Sequence, residues 1–431
     1  MAAEYLTYRL ENGLQVQLKE IHSAPLISSW VWYRVGSRNE HPGITGISHW
    51  VEHMQFKGTP SHPQGEMDRT VSREGGTWNA FTYLDWTTFF ETMPADKVEI
   101  ALQLEADRMV NSLYDAQEVS SERTVIISER EGNENEPLFR LGEAMQKAAF
   151  SAHPYQHEVI GEMADLRTMQ RDDLYQHYRQ HYNPANAVLA IAGDFDTAAM
   201  REKVQTAFGA IPGGQRIRAE IAEDALPAAE KRVDVSGPGE TTFIQVAYRA
   251  PRANHPDFFP LTVLDSLLTG TSGLNMFGGG GISNKTSRLY QRLVEKQLAV
   301  GAHGGLSATI DPYLYDITIT AAPGKAVADI LLAFDEEIDR LQQDAVNPQA
   351  IERAIKQARA LFVYGAENIT NQGFWLGYAE MFASYGWFET YLQRLAEVTT
   401  QDVLRVAMQY LKSGQRVVGV YHPAGEGDSH E

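Results

Sequence analysis

Two stretches of this chain repeat the same order of strand and helix, and this repetition limits the folds open to it. The strand-like segment from Phe243, FIQVAYRAP, is similar to ISSWVWYRVGS from Ile27. The helix-like VTTQDVLRVAMQYL precedes a short apolar strand at Arg416–Tyr421, much as TMQRDDLYQHY precedes one at Ala187–Ala192. The spacing of roughly 215 to 230 residues favours duplicated α/β domains over a short-period solenoid, with chance similarity as the alternative.

The length agrees with two domains, because 431 residues exceed what one hydrophobic core usually organises. Residues Gly213 to Pro238 are rich in Ala, Glu, Gly and Pro without strong periodicity, which predicts a linker. We therefore expect an N-terminal domain over 1–212, a linker over 213–238 and a homologous C-terminal domain over 239–431. The predicted fold class is α/β (α+β), with a mixed, largely antiparallel sheet flanked by helices in each domain, the two facing each other across the linker.

Local patterns predict the elements of the first half. Apolar and polar residues alternate on both sides of Asn12-Gly13, which indicates a β-hairpin over Tyr5–Leu10 and Leu14–Leu18. Further strands are predicted at Leu26–Val35 and Asp85–Met93. Helical periodicity predicts helices at Thr45–Phe56, Val98–Val110, Gln117–Arg130 and Asp172–His181.

Charge and cysteine content exclude several classes of function. With 56 Asp and Glu against 37 Lys and Arg, the formal net charge of -19 argues against binding of nucleic acid, which needs a basic face. The chain has no cysteine, so disulfides and thiolate metal sites are absent and any metal must be held by His, Asp or Glu.

The N-terminal sequence predicts the compartment. It has no basic segment followed by an apolar run, and no apolar stretch of the chain is long enough to span a bilayer. We expect no membrane span and a cytoplasmic location, with a periplasmic one as the alternative if an export signal has been removed.

The segment ISHWVEHMQF contains the motif that carries chemistry. Positions i, i+3 and i+4 of a helix project from one face, so His49, Glu52 and His53 converge. Two imidazoles four residues apart can share one zinc ion, while Glu52 stands beside it. The order His-x-x-Glu-His is the inverzincin signature, and a polar helix face with two unrelated histidines is the alternative. The zinc site therefore belongs to the N-terminal domain, and none is expected in the C-terminal one.

A third ligand is needed, because catalytic zinc sites normally have three protein ligands and one open position. Glu122 and Glu129 are seven residues apart in SSERTVIISER and share a helix face. One could bind zinc while the other orients a ligand histidine, and helix geometry does not choose between them. Glu52 would then take a proton from the zinc-bound water and return it to the leaving amine of a cleaved peptide. Cobalt or manganese also suits such ligands.

These residues resemble the pitrilysin and insulinase family of zinc peptidases, which includes the mitochondrial processing peptidases. In that family the third ligand is a glutamate 76 residues beyond the second histidine, which the resemblance assigns to Glu129. The glutamate seven residues earlier, a supporting carboxylate of the catalytic site, corresponds to Glu122. The family's Asn-Ala edge strand corresponds to GGTWNAFTYLDW, which implies that an extended substrate adds to this strand at Asn79, Ala80 and Phe81.

The second half departs from the family at one segment. Relatives often carry an Arg and a Tyr, seven residues apart, that contact the substrate carbonyl, but RLYQRLVEKQLAVGA lacks one residue and has Val294 and Val300 there. Some relatives are heterodimers in which a metal-free partner supplies this pair. We therefore expect a zinc metalloendopeptidase subunit that hydrolyses peptides or unfolded segments and is completed by a paralogous subunit supplying Arg and Tyr. A conformational or alignment shift that brings another Arg or Tyr into place is one alternative. A noncatalytic core subunit of a larger complex is another, since some relatives have that role.

Overall fold

The computed structural model describes residues 5–217, 219–271, 283–344 and 346–424. Within these ranges the chain forms two mixed β-sheets and fourteen α-helices. The strands of the first sheet are β1 (Tyr5–Arg9), β2 (Gln15–Glu20), β3 (Leu26–Tyr33), β4 (Thr77–Thr82), β5 (Thr87–Pro94) and β6 (Ala187–Gly193). Those of the second are β7 (Lys231–Gly237), β8 (Phe243–Arg249), β9 (Ala299–Leu306), β10 (Leu314–Ala321) and β11 (Val417–Pro423).

The helices flank the two sheets. Those before the second sheet begins are α1 (Ile47–Met54), α2 (Glu66–Arg73), α3 (Val98–Asn111), α4 (Ala116–Asn133), α5 (Pro137–Ala149), α6 (Met163–Thr168), α7 (Arg171–His181) and α8 (Thr197–Phe208). The later ones are α9 (Phe258–Leu268), α10 (Val327–Gln343), α11 (Pro348–Tyr364), α12 (Ile369–Phe382), α13 (Tyr385–Glu397) and α14 (Thr400–Tyr410).

The two sheets share one strand order. The first runs β1-β2-β6-β3-β5-β4 and the second β7-β11-β8-β10-β9. One pair in each sheet is parallel, β2 with β6 and β7 with β11, and every other pair is antiparallel. Among the described strands, only β1 has no counterpart in the second sheet. The strands β3 and β8, and likewise β6 and β11, therefore occupy equivalent places, which confirms the predicted class of two similarly built α/β domains.

The first sheet has a helix from the second half of the chain lying on it. One compact unit comprises the residues up to Arg130 together with His157–Ile221 and Ala366–Phe388, so it includes α12. Helix α12 lies on β3 and β6. This approach needs glycine, because a Cβ on Gly377 would stand 2.0 Å from the indole Nε1 of Trp32.

The second sheet correspondingly carries a helix from the first half. The other compact unit comprises Glu131–Gln156, Ala222–Gly365 and the residues from Glu389 onward, so it includes α5. Helix α5 contacts β7, β8 and β11, and a Cβ on Gly419 would stand 2.5 Å from the sulfur of Met145. The predicted domain boundaries at 212 and 239 divide the chain by sequence position, whereas the two compact units are defined by contacts between residues far apart in sequence. The boundaries therefore stay a prediction.

Local elements lie close to where their patterns place them. The β1–β2 hairpin turns at Gly13, whose φ of 95° is the left-handed conformation that glycine adopts without strain. The helix predicted at Thr45–Phe56 is shorter in the structure, where it spans Ile47–Met54. It begins only after Gly46, because the positive φ of this N-cap residue is not helical. Over the described ranges, no helix combines the length and the apolar character that crossing a bilayer requires.

Candidate metal centre

Helix α1 carries the histidine motif, and its N-terminus is fixed by a buried carboxylate. Glu40 is 3% exposed and accepts hydrogen bonds from the backbone N–H groups of Gly46 (2.7 Å) and Ser48 (2.9 Å). A negative charge at this end also complements the helix dipole. A Cβ on Gly46 would stand 2.3 Å from the carbonyl oxygen of Ile160, so only glycine fits there. The N-terminus of α1 is thus fixed both by the hydrogen bonds to Glu40 and by close packing against Ile160.

The structure brings His49, His53 and Glu129 together. The two imidazole rings lie on one face of α1 with centroids 4.6 Å apart. The Nε2 atoms of His49 and His53 are each 3.7 Å from a different carboxylate oxygen of Glu129 on α4. One donor atom from each residue lies within 4.8 Å of the other two.

This donor set fits a divalent metal ion of the zinc type. Metal–nitrogen and metal–oxygen bonds of about 2.0–2.1 Å in a tetrahedron put neighbouring donor atoms about 3.3 Å apart. The observed separations are longer: each imidazole is 3.7 Å from a different oxygen of Glu129, and one donor atom from each of the three residues fits within 4.8 Å, so small side-chain rotations would bring the three onto one ion. Two imidazoles and one carboxylate are also a known ligand set for a catalytic zinc ion, with a fourth position left open.

Glu122 lies behind this cluster and contacts His53 on its other ring nitrogen. Its Oε1 is 2.8 Å from Nδ1 of His53, and its Oε2 forms an ion pair with Lys57. This bond directs Nε2 of His53 toward Glu129, as carboxylates commonly do for metal-binding histidines. Burial raises the pKa of Glu122, but the hydrogen bonds from His53 and Lys57 outweigh it and hold that pKa below its usual range.

Glu52 stays outside the three-residue cluster. It is 8% exposed, and its Oε2 accepts a 2.7 Å hydrogen bond from the hydroxyl of Thr82 at the end of β4. Burial raises the pKa of Glu52 to about 7, against the opposing effects of the Thr82 hydrogen bond and of His53. A carboxylate that titrates near neutrality can both accept and return a proton.

The surroundings of the three candidate ligands shift their pKa values in different directions. Burial, helped by His53, lowers the pKa of His49 to about 3, so His49 is neutral as a ligand must be. Burial also lowers the pKa of His53, but the Glu122 hydrogen bond and the nearby carboxylates outweigh it and raise that pKa. Burial raises the pKa of Glu129, with Glu122 adding to the effect.

The predicted substrate residues lie on an edge strand that ends at this site. Among the described strands, β4 pairs only with β5, and it is the last strand of the first sheet. Asn79 is exposed, Ala80 is buried, and Phe81 is half-buried with its ring stacked on Phe90. The strand ends at Thr82, the residue that holds Glu52.

The segment with Val294 and Val300 has an unusual backbone between these two residues. Val294 ends a short π-helical turn, and Val300 lies on β9 with 59% of its surface exposed. Gln297, between these two valines, has a φ of 59°, the only positive φ among described non-glycine residues.

Three site residues escaped the sequence reasoning. Thr82 binds Glu52, Lys57 neutralises Glu122, and Glu40 caps α1. Thr82 could have been found, because it directly follows the strand residues already singled out. In the sequence, Lys57 indicated only where a helix ends, and no sequence pattern pointed to Glu40 as a functional residue.

Comparisons with known proteins identify the family of the chain. Residues 15–162 match the family model described as insulinase, peptidase family M16, and residues 168–358 match the model described as the peptidase M16 inactive domain. An uncharacterised zinc protease of Mycobacterium leprae is 27% identical over 418 residues, 96% of this chain and 91% of that protein. The zinc protease PqqE of Helicobacter pylori is 26% identical over 425 residues, 94% of this chain and 90% of that protein.

Solved structures show the same fold. The crystal structure of a protease from Helicobacter pylori superposes with a TM-score of 0.90 at 24% identity, covering 98% of this chain and 100% of that one. A peptidase M16 inactive domain from Pseudomonas fluorescens gives a TM-score of 0.86 at 18% identity, covering 98% of both chains. With two family models matched in succession along most of its length, the chain belongs to the insulinase family of peptidases, M16.

Proposed function

We propose that this chain is a zinc metalloendopeptidase subunit that hydrolyses peptides or unfolded segments. One observation carries the proposal: a carboxylate on α4 faces both imidazole Nε2 atoms of α1, while a second carboxylate on α1 is held apart by Thr82. His49, His53 and Glu129 would hold the metal, and Glu52 remains available for proton transfer. A site that only stored or sensed zinc would not require this fourth group.

The chemistry divides between the metal and the chain. Zinc, when bound, supplies a Lewis acid that makes water acidic near neutral pH and polarises the scissile carbonyl. Glu52 accepts the proton of the attacking water and then donates it to the leaving amine, so that the C–N bond breaks without releasing an amide anion. Glu122 acts through His53, keeping its Nε2 directed at the metal position.

Substrate is proposed to bind as an additional strand beside β4. The free edge of β4 offers backbone N–H and C=O groups to an extended peptide at Asn79, Ala80 and Phe81. Main-chain pairing tolerates varied side chains, which suits unfolded segments. Because Thr82 continues this strand to Glu52, a peptide paired there would bring a carbonyl toward the proton acceptor.

A paralogous partner is part of the proposal. Valine at 294 and 300 can donate no hydrogen bond to a developing oxyanion, so we propose a heterodimer whose second subunit supplies Arg and Tyr. We expect low activity from the purified single chain and a large gain when such a subunit is added. Full activity of the chain alone would remove this part of the proposal.

A noncatalytic role as a core subunit is the second candidate. It is favoured by the match of residues 168–358 to a family model described as an inactive domain. That match lies outside the metal centre, whose residues fall within the insulinase match at 15–162. A subunit without catalysis would have no need of Glu52 beside three ligands, so we give preference to the enzyme. We also keep a cytoplasmic location as a proposal.

The substitution Glu52→Gln separates these candidates. It preserves size and the Thr82 contact but removes the proton acceptor, so we expect full zinc content with peptide cleavage reduced by about 10²–10⁴-fold. Glu118→Gln, a half-buried position in the first turn of α4 outside the metal centre, is the matched control and should cleave like the native chain. Zinc content is measured by elemental analysis and cleavage with a quenched peptide, each with the partner subunit present. Normal turnover by the Glu52 variant would exclude the proposed mechanism.

A further inference from the structure

A buried arginine lies beneath the edge strand β4, and the proposed mechanism does not use it. Arg108 on α3 is 1% exposed. Its Nε donates a 2.9 Å hydrogen bond to one carboxylate oxygen of Glu105, and its Nη2 donates to the other. Nη2 also donates to Oε1 of Glu91 on β5, at 3.2 Å. Glu91 and Glu105 are buried as well, so one guanidinium group and two carboxyl groups share an interior site.

The two carboxyl groups of this site carry one negative charge between them. Burial raises the pKa of Glu91 well above its usual range, and the charge of Glu105 and a hydrogen bond shared with it add to the effect against the attraction of Arg108. Glu91 is therefore neutral at neutral pH, and Arg108 forms its ion pair with Glu105. The Nη1 atom of Arg108 is buried and has no hydrogen-bond partner among the described residues.

Three aromatic rings surround the guanidinium group. The Cζ atom of Arg108 is 4.3 Å from the ring centroid of Phe89 on β5. It is 5.8 Å from the centroids of Trp78 on β4 and of Phe56, which follows α1. A cation within about 6 Å of an aromatic ring is attracted to its face, and more strongly where water is excluded. Phe56 and Trp78 also pack edge to face on each other, with centroids 4.8 Å apart.

These contacts connect β4 with the helix that carries the histidines. In the β4–β5 pair, Trp78 lies opposite Glu91 and Ala80 lies opposite Phe89, so these side chains share one face of the sheet. Because β4 has a strand on one side only among the described strands, its placement depends on side-chain contacts of this kind. Phe56 follows the candidate ligand His53 by three residues. The guanidinium group thus contacts both the strand proposed to bind peptide and the segment that follows α1.

Stability alone does not account for a charged group in this position. Replacing a buried ion pair by apolar side chains of similar size is often neutral or stabilising. Arg416 of the second compact unit, 3% exposed, has all three guanidinium nitrogens bonded to Glu230 and Asp335, whereas Arg108 leaves one nitrogen unbonded. What a planar guanidinium group adds is direction, because its paired bonds fix its orientation over a ring.

We propose that Arg108 is a positioning residue, which fixes β4 relative to the end of α1 so that a peptide paired with β4 reaches the metal centre in register. This inference rests on the proposed peptidase function, because it concerns the strand at which substrate is proposed to bind. Arg108 acts through Trp78 and Phe56 and is not a catalytic residue. An apolar side chain at 108 would fill the space but would leave β4 free to shift along α1.

The main test is Arg108→Lys, which keeps the positive charge beside Glu105 but loses the planar group. Deuterium exchange of the backbone N–H groups of 77–82, measured by mass spectrometry without substrate, should become about tenfold faster. With the partner subunit present, KM for an extended peptide should rise about tenfold while kcat stays within about threefold, because a displaced strand weakens pairing in the ground and transition states alike. Zinc content should stay native.

A second variant approaches the same contact from another strand. Phe89→Leu removes the ring nearest to the guanidinium group without changing β4 or any charge, so it tests the inference even where Arg108→Lys does not fold. Its effects on β4 exchange and on KM should have the same direction. The matched control is Arg416→Lys, the same exchange of a buried arginine in the second compact unit. It should lower the thermal midpoint but leave β4 exchange and KM within about twofold of native.

Faster exchange of β4 together with a higher KM in the Arg108 and Phe89 variants, but not in the control, supports the inference. Three results overturn it: native exchange of β4 in the folded variants, a fall in kcat with unchanged KM, or equal effects in the Arg416 control. A native chain that cleaves no peptide would refute the peptidase proposal instead. The exchange of β4 needs no substrate and would still decide whether Arg108 fixes this strand.

Discussion

Replacing Glu122 by Gln should weaken metal binding although Glu122 is not among the proposed ligands. The native carboxylate accepts the Nδ1–H of His53 at 2.8 Å and forms an ion pair with Lys57. Glutamine keeps the size of the side chain and one acceptor but removes the negative charge. His53 then loses the charged partner that makes its Nε2 a stronger donor to a metal.

The magnitude follows from two losses that act together. Removing a carboxylate that supports a metal-binding histidine typically costs about 10–100-fold in metal affinity, or about 1.4–2.7 kcal/mol. Here the same substitution also leaves the Lys57 ammonium, only 20% exposed, without its counter-charge. The net charge near the metal position therefore rises by one, and we expect an effect nearer to 100-fold.

The measurement is a competition titration of zinc against a chromophoric chelator at neutral pH. Glu118→Gln lies on the same helix, one turn before Glu122, and should bind zinc like the native chain. Glu129→Gln removes a proposed ligand and should weaken binding more than Glu122→Gln does. Native affinity in the Glu122 variant, or a larger loss in it than in the Glu129 variant, would refute the assignment of these two glutamates.

Two further predictions concern stability. Gly377→Ala places a methyl group 2.0 Å from Nε1 of Trp32 and should destabilise the fold by about 1–3 kcal/mol. In the control Gly386→Ala, the added Cβ would meet only the Ser384 hydroxyl, at 3.6 Å, so the thermal midpoint should not fall. Equal midpoints for the two variants would contradict the close packing of α12. Asp224→Asn should also lower the thermal midpoint, because the native carboxylate accepts hydrogen bonds from the backbone N–H groups of 151–153. Burial raises the pKa of Asp224, but these hydrogen bonds outweigh burial and lower that pKa to about 2. Because the folded-state pKa is depressed, the stabilisation is complete above the unfolded pKa of about 3.9 and is lost as pH falls toward 2. The deficit of the variant in thermal scans should thus be constant from pH 7 to pH 5 and smaller at pH 3.

Much of the fold could be predicted because the signals for it are local. The β1–β2 hairpin follows from alternation around Asn12-Gly13, and α3, α4 and α7 follow from their helical periodicity. The duplication was visible because β3 and β8 have similar apolar sequences and the same place in their sheets. The histidine face of α1 needed only the geometry of one helix.

The placement of α5 and α12 could not be predicted. Each lies on the sheet of the other half of the chain, so its packing depends on contacts between residues far apart in sequence. Helix α12 is also buried on nearly all sides, which removes the one-sided apolar periodicity that would show which face meets a sheet. The remaining sequence feature is the pair Gly373 and Gly377, four residues apart. Only the structure shows why glycine is needed there, because these two positions contact Trp30 and Trp32.

The contacts of Glu122 and Glu129 favour Glu129 as the proposed third ligand, a choice that helix geometry alone cannot make. Both lie on one face of α4, and both reach His53. Glu122 is already satisfied by an imidazole N–H and an ammonium group, so a metal would have to compete with two charge-assisted bonds. Glu129 has no hydrogen bond among the described residues and faces two imidazole nitrogens across gaps too long for hydrogen bonds. A cation shared with the two imidazoles would give this carboxylate the bonds that the described residues do not supply, which is why we propose Glu129, and not Glu122, as the third ligand.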